Sequence, residues 1–352
     1  MRLWSLAFAF FVLGWCAPAT TVFGGPPTLA VGSIESLTEM IRSPENPAVR
    51  MRAAESLALY GAEAMPVVHE LLAERDLSIQ YAACLTLTRM GPEGRAAVPE
   101  LIKIASDSQN PLRETAVFAL GAMGPYAAPA ASVLHELAKG EPSSLRDEAL
   151  EALQRIGPAA IPALADLLGH EEVTIRRQAA TTLRDLGAAA AGFPGIEVAL
   201  VRALNDSDQR VCDQAALALS ALDRQGAEAL RALLDDESPD VRRRAAMALA
   251  QMEAIPAHLA LTFHQALSDT DAAVRFWAAK ALGAIDDPLA SASLIVALRD
   301  ADADVRWQAV VSLARQGVTE AALAPLSELL NDPNSAVRTQ AEKALQQFHA
   351  AP

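Results

Sequence analysis

From about residue 46 onward one arrangement of apolar and polar positions recurs along the chain. In Val241-Arg242-Arg243-Arg244-Ala245, with Leu249 following, an apolar residue stands four positions before an alanine and a leucine four positions after it. A further apolar residue usually follows three beyond, so all of them share one face of a helix. Ten copies occur, anchored on Ala53, Ala83, Ala116, Ala149, Ala179, Ala215, Ala245, Ala278, Ala309 and Ala341, at spacings of 30 to 36 residues. A period of that length marks a stacked repeat array, in which each unit buries its apolar face on its neighbours.

Punctuation residues set the bounds of each helix. Asn46, Asp76, Asp208, Ser238, Asp302 and Asn334 occupy the expected N-cap, and Pro47 and Pro239 the first helical position, where no amide donor is needed. Gly61, Gly91, Gly124, Gly157, Gly187 and Gly317 stand where such helices end. The segments between predict a first helix for each hairpin, for example over Ala62 to Glu74, Ala96 to Ala105, Ile161 to Leu168 and Leu323 to Leu330.

The phrase, in pieces such as Asp304-Val305-Arg306-Trp307-Gln308-Ala309, resembles the HEAT-like repeat of the phycobilin-lyase type over residues 33–349. That resemblance implies an all-α, right-handed α–α superhelix of about ten helical hairpins, with second helices lining a concave surface. It also implies that the recurring arginine bonds acidic or carbonyl groups near neighbouring turns. Here the column comprises Arg50, Arg113, Arg146, Arg176, Arg242, Arg275, Arg306 and Arg338, with Gln80 and Cys212 as departures. Between Ala179 and Ala215 the longer spacing accommodates Gly192-Phe193-Pro194-Gly195, which predicts a protruding connection.

Composition fits stacked helices: 52% of residues are hydrophobic but only 5% aromatic, so Ala, Leu and Val do most of the packing. The formal charge is -14, and removal of a leader whose only charged residue is Arg2 takes it to about -15. Such a balance repels phosphate backbones and argues against nucleic acid as a partner. Acidic groups in turns such as Asp235-Asp236-Glu237 and Asp300-Ala301-Asp302 are expected to be solvated or to cap helices.

Met1-Arg2, the apolar stretch Leu3 to Leu13 and the small residues Ala17-Pro18-Ala19 form a secretory leader pattern. Residues 1–24 are read as a signal peptide or, if uncleaved, a membrane anchor, and residues 25–32 as a Gly/Pro linker. The expected location is periplasmic or extracellular, with membrane contact only through an uncleaved N-terminus. Trp15 before Cys16 argues against a lipidation site, and Cys84 and Cys212, four repeats apart, are too distant to bond to each other.

Catalytic readings fare poorly against particular residues. Deoxyhypusine hydroxylase, a di-iron enzyme of HEAT-like build, places His-Glu pairs directly after the recurring arginine, where this chain has Met51-Arg52, Glu114-Thr115, Asp147-Glu148 and Arg177-Gln178. His69-Glu70, His135-Glu136 and His170-Glu171 fall in or just after first helices, which argues against convergence on one metal. HEAT-like DNA glycosylases need a basic groove that an acidic chain does not supply. No GxSxG, GxxxxGK[ST], HExxH or CxxCH motif occurs. No cofactor and no catalytic residue is assigned.

With the anchor alanine inward, residues two before and two after it, and five after, are expected on the open face of the second helix. Phe276, Trp277, Trp307 and Val311, flanked by Arg243 and Lys280, form an aromatic and cationic patch there, a composition enriched at interaction hot spots. The function expected is a non-catalytic scaffold for a protein or peptide. Two alternatives are a chromophore or cofactor lyase or chaperone, like the phycobilin lyases, and a membrane-anchored assembly factor.

Overall fold

The structure, a computed structural model, describes residues 32–43, 46–140 and 144–350. Residues 1–31, which carry the expected leader and nearly all of the linker, lie outside these. Among the described residues no helix is long and apolar enough to cross a membrane.

The chain divides at residue 90 into two compact units. The first holds two hairpins, α1 (Ile34–Arg42) with α2 (Pro47–Ala58) and α3 (Met65–Ala73) with α4 (Leu77–Met90). The second begins with α5 (Val98–Ser106) and α6 (Arg113–Ala122), α7 (Ala131–Ala138) and α8 (Ser144–Ile156), and α9 (Ile161–Leu167) and α10 (Val173–Leu186). It continues with α11 (Ile196–Ala203) and α12 (Gln209–Ser220), α13 (Asp223–Ala232) and α14 (Pro239–Leu249), and α15 (Ala260–Ala266) and α16 (Ala272–Leu282). The last pairs are α17 (Pro288–Ala297) with α18 (Ala303–Gln316) and α19 (Glu320–Glu328) with α20 (Ser335–Ala350). Odd-numbered helices are the first helix of each hairpin, and even-numbered helices carry the repeated phrase.

All ten anchor alanines are buried. The leucines four residues on are equally buried from Leu57 to Leu313, whereas Leu345 in α20 is half-buried. Val49, expected on the same inward face, is 42% exposed; no described element covers it.

Neighbouring second helices keep one register. Thr86 Oγ1 donates to the Ala54 carbonyl at 3.1 Å, and Ser312 Oγ to the Ala279 carbonyl at 2.8 Å, each bond joining the third residue after one anchor to the first after the preceding anchor. Gly283 lets α18 approach α16 closely: a Cβ there would lie 2.9 Å from the Ser312 Cα. The fifth position after the anchor, expected to face outward, is therefore buried at Gly283 and Gly121, since only a missing side chain permits that approach.

Of the expected first helices, α3 and α5 start later than the pattern predicts, at Met65 and Val98, α9 starts at Ile161 as predicted, and α19 starts earlier, at Glu320. A glycine with positive φ, such as Gly91 at 56°, ends the second helix, and a 3-10 turn over Gly91–Ala97 leads into α5. Pro92 fixes the backbone of that turn, so regular helix begins only at Val98. The predicted caps are observed at Asn46, Asp76, Asp208, Asp302 and Asn334, each accepting a backbone N–H. Ser238 makes no side-chain cap bond, while Asp271 and Asp287 cap α16 and α17. The connection over Ala191–Gly195 is anchored by the Gly192 N–H donating to Gln225 Oε1 at 3.2 Å, and Gly192 and Gly195 have open space beside them.

Candidate functional site

The arginine column is a chain of bidentate ion pairs. Arg176 binds both carboxylate oxygens of Asp206, Arg242 those of Asp269, Arg275 those of Asp300 and Arg306 those of Asp332, with Nε–O distances of 2.6 to 2.8 Å. In each case Nη1 also donates to a carbonyl six residues back, as Arg242 does to Asp236 at 2.9 Å. The aspartate partner sits in the next hairpin's turn and accepts that hairpin's own N-cap amide, as Asp269 does from Asp271 at 2.7 Å. A planar guanidinium suits this task because its fork meets a carboxylate on one edge and carbonyls on the other.

The remaining members make parts of the same pattern. Arg338 donates to the Asp332 and Pro333 carbonyls, Arg113 to Ala105, and Arg146 pairs with Glu172. In the first unit Arg50 donates to the carbonyls of Ile41 and Ser43. Both departures keep the carbonyl six residues back: Gln80 Nε2 donates to Glu74 at 2.8 Å and Cys212 Sγ to Asp206 at 3.2 Å. Acidic or carbonyl partners near neighbouring turns are expected from the resemblance, which does not single out the individual aspartates, although Asp206-Ser207-Asp208, Asp269-Thr270-Asp271, Asp300-Ala301-Asp302 and Asp332-Pro333-Asn334 carry a recurring signal for them.

These carboxylates are held below the ordinary aspartate range. At Asp206, Asp269 and Asp300 burial pushes the pKa up, but the paired guanidinium and a backbone N–H outweigh it. At Asp332 the Arg306 hydrogen bonds are the largest influence.

On the open face of the second-helix layer Phe276 and Trp277 meet edge to face, with ring centroids 5.3 Å apart. The Lys280 ammonium lies 4.6 Å from the Trp277 ring centroid, within cation–π range. Trp277 leans toward the preceding hairpin and helps line a recess of about 290 Å³ with Asp213, Arg244 and Met247. Trp307 and Val311, one hairpin further on, are half-buried, and Trp307 is in ring contact with neither Phe276 nor Trp277. Arg243 is engaged within the protein, by Asp240 at 3.1 Å and Asp271 at 2.6 Å.

Elsewhere, His69 and His135 lie on first helices α3 and α7, and His170 follows α9. His135 Nε2 is 2.9 Å from Asp166 Oδ2. Among the described residues no three His, Cys, Asp or Glu side chains gather as metal ligands. Cys84 and Cys212 are buried free thiols, and burial pushes Cys84 up to about 12. Glu148 on α8 is pushed up to about 7 by burial and by Glu151, Glu114 and Asp147, against the opposing pull of Arg155.

Models of HEAT repeats match residues 34–121, 67–154, 227–296 and 291–350, well over half of the chain, and a PBS lyase HEAT-like repeat matches residues 145–170. The chain belongs to the HEAT-repeat family. No curated protein matches it. Among solved structures, the Kap95:Nup1 complex contains a chain 14% identical, with a TM-score of 0.54, covering 90% of this chain. This chain spans about half of that one, 51%. An engineered protein is 23% identical over 92% of this chain and all of its own, with a TM-score of 0.42, and importin beta is 14% identical over 90% of this chain and 51% of its own, with a TM-score of 0.48. These likenesses concern fold.

Proposed function

We propose that this protein is a non-catalytic, exported scaffold that holds a protein or peptide on the open face of its second helices. The observation carrying this reading is the Phe276, Trp277, Lys280 cluster with Trp307 one hairpin further on, half-exposed on a face whose neighbouring arginine ladder is internally satisfied. Large aromatic surface next to an ammonium without a carboxylate partner suits recognition of another chain. A HEAT solenoid of similar fold occurs in a complex with Nup1, which is in keeping with this role. Export rests on the leader pattern of residues 1–24.

The test uses the mature chain and a Phe276→Ala, Trp277→Ala, Trp307→Ala variant as baits in envelope extract, with bound proteins identified by mass spectrometry. A partner retained by the wild type and lost from a variant of unchanged helicity supports the site. Equal capture by both places binding elsewhere, and no capture by either counts against the scaffold.

A further inference from the structure

The open face changes sign along the second unit. At the outward positions of the second helices, those one or two before the anchor alanine and two, five or six after it, α6 to α12 carry Glu114, Asp147, Glu148, Glu151, Asp185 and Asp213 against Arg155, Arg177 and Arg184, which are paired with Glu151, Asp208 and Asp185. From α14 to α20 the same positions carry no acidic residue and hold Arg243, Arg244, Lys280, Arg315 and Lys343. In a chain of net charge -14 this local excess of cations is a departure from the average, not a sample of it.

The five cations are not equivalent. Arg243 is neutralised by Asp240 and Asp271, and Arg244 donates to the Leu204 carbonyl beside Asp213. Lys280 has the Trp277 ring as its neighbour and no carboxylate within ion-pair distance, and Arg315 and Lys343 are exposed and form no ion pair among the described residues. These three lie on α16, α18 and α20, which pack side by side in that order. Packed helices sit about 8–10 Å apart and Arg315 is stepped about 6 Å along the axis from Lys280 and Lys343, so successive cations leave the helices roughly 12 Å apart, on the helix layer that carries Trp277 and Trp307.

We propose that this track binds an extended, acidic polypeptide segment. It rests on the peptide-binding reading above and assigns the partner's chemistry. A segment extended as polyproline II advances about 3.1 Å per residue with three residues per turn, so carboxylates at every third residue share one side and come within reach of the long Lys280, Arg315 and Lys343 side chains in turn. The intervening apolar side chains lie against Trp277 and Trp307. A nucleic acid fits less well: its closely spaced phosphates meet three separated cations and are repelled by the acidic α6 to α12 face. The carboxylates on that face likewise repel the acidic segment and keep it on the C-terminal hairpins, while a basic peptide is disfavoured at α16 to α20 by the cations there.

The test is fluorescence anisotropy with four dye-labelled peptides. One is Gly-Glu-Leu-Ser-Glu-Leu-Ser-Glu-Phe-Gly; the second and third replace its three glutamates by glutamine and by lysine; the fourth has the first peptide's composition with the glutamates contiguous. The spaced acidic peptide is expected to bind about tenfold more tightly than the glutamine peptide, the sum of three exposed ion pairs. That advantage should fall as salt is raised from roughly 0.05 to 0.5 M, and should vanish in a Lys280→Glu, Arg315→Glu, Lys343→Glu variant of unchanged helical circular dichroism. The contiguous peptide should bind more weakly than the spaced one.

Equal binding of the acidic and glutamine peptides, preference for lysine, an unchanged preference in the charge-reversed variant, or tighter binding of a single-stranded oligonucleotide each overturns the proposal. In those cases partner capture through Phe276, Trp277 and Trp307 still stands or falls by its own experiment. Failure of all four peptides overturns the proposal, and together with empty baits it removes the scaffold reading as well.

Discussion

Arg244 Nη1 donates to the Leu204 carbonyl at 3.2 Å, reaching from one hairpin's second helix to the end of an earlier hairpin's first helix. Leu204 lies eight residues before Cys212, the separation at which Gln80 meets Leu72 and Arg113 meets Ala105. The ladder's missing guanidinium at Cys212 is thus replaced by one from the next hairpin. The carboxylate of Asp236, which stands where that of Asp269 stands for Arg242, is left with its Ser238 amide and no ladder arginine.

Arg244→Ala is therefore expected to lower stability by about 1–2 kcal/mol, the cost of leaving a sheltered carbonyl without its charged donor. In that background Cys212→Arg should recover part of the loss by forming the absent rung with Asp236. Urea unfolding followed by circular dichroism checks both, and a double variant less stable than Arg244→Ala alone would show that Cys212 is there for its size.

Breaking a complete rung should cost more. Asp269→Ala leaves the Arg242 guanidinium, 15% exposed, without its carboxylate and is expected to cost about 2–3 kcal/mol, somewhat less than a fully buried pair. Arg299→Ala, which removes an exposed pair with Glu328, should leave the unfolding midpoint unchanged. The contrast between the two in one denaturation series is the measurement.

The same carboxylates set the acid limit. Asp206, Asp269, Asp300 and Asp332 have folded-state pKa values below that of an unfolded aspartate, so their stabilisation is present above about pH 4 and is lost as pH falls through the depressed folded values. Their contribution to the thermal midpoint should be constant from neutral pH to about pH 5, and the midpoint should drop steeply below about pH 4. Asp269→Asn should reduce the steepness of that drop.

Glu148 acts in the opposite sense. Its folded pKa of about 7 lies above the ordinary glutamate value of 4.5, so the fold favours its neutral form, and stability present below the unfolded value is lost as pH rises through 7. Glu148→Gln should stabilise by about 1–2 kcal/mol at pH 8, discounting for its solvent-facing side, with the difference disappearing toward pH 4. Paired thermal melts at the two pH values decide it.

Gly283→Ala places a Cβ 2.5 Å from Ser312 Oγ and 2.9 Å from its Cα. Overpacking of that kind is expected to cost about 2–3 kcal/mol. Adding Ser312→Gly should return part of it, and a melt of the single and double variants tests the register of α16 against α18.

Much of this architecture is present in local sequence. The Val-Arg-x-x-Ala-x-x-x-Leu spacing fixes one helical face, because a helix turns every 3.6 residues wherever it is placed. Gly61 to Gly317 and the capping Asn and Asp residues bound those helices through backbone geometry of their own segments. Fold class and the ten second helices were therefore legible from one chain, and the HEAT-repeat matches agree with the fold class.

What the sequence did not contain was the partner of each polar side chain. Arg242 and Asp269, or Arg243 and Asp271, are about one repeat apart along the chain and meet only because successive second helices pack in register. Local spacing identified Arg243 and Lys280 alike as cations on the open face. Packing distinguished them, giving Arg243 two carboxylates and Lys280 an aromatic ring. Gly283 shows the same division: its position predicted an outward face, but the close approach of α18 buried it, since contact distances between helices depend on both surfaces at once.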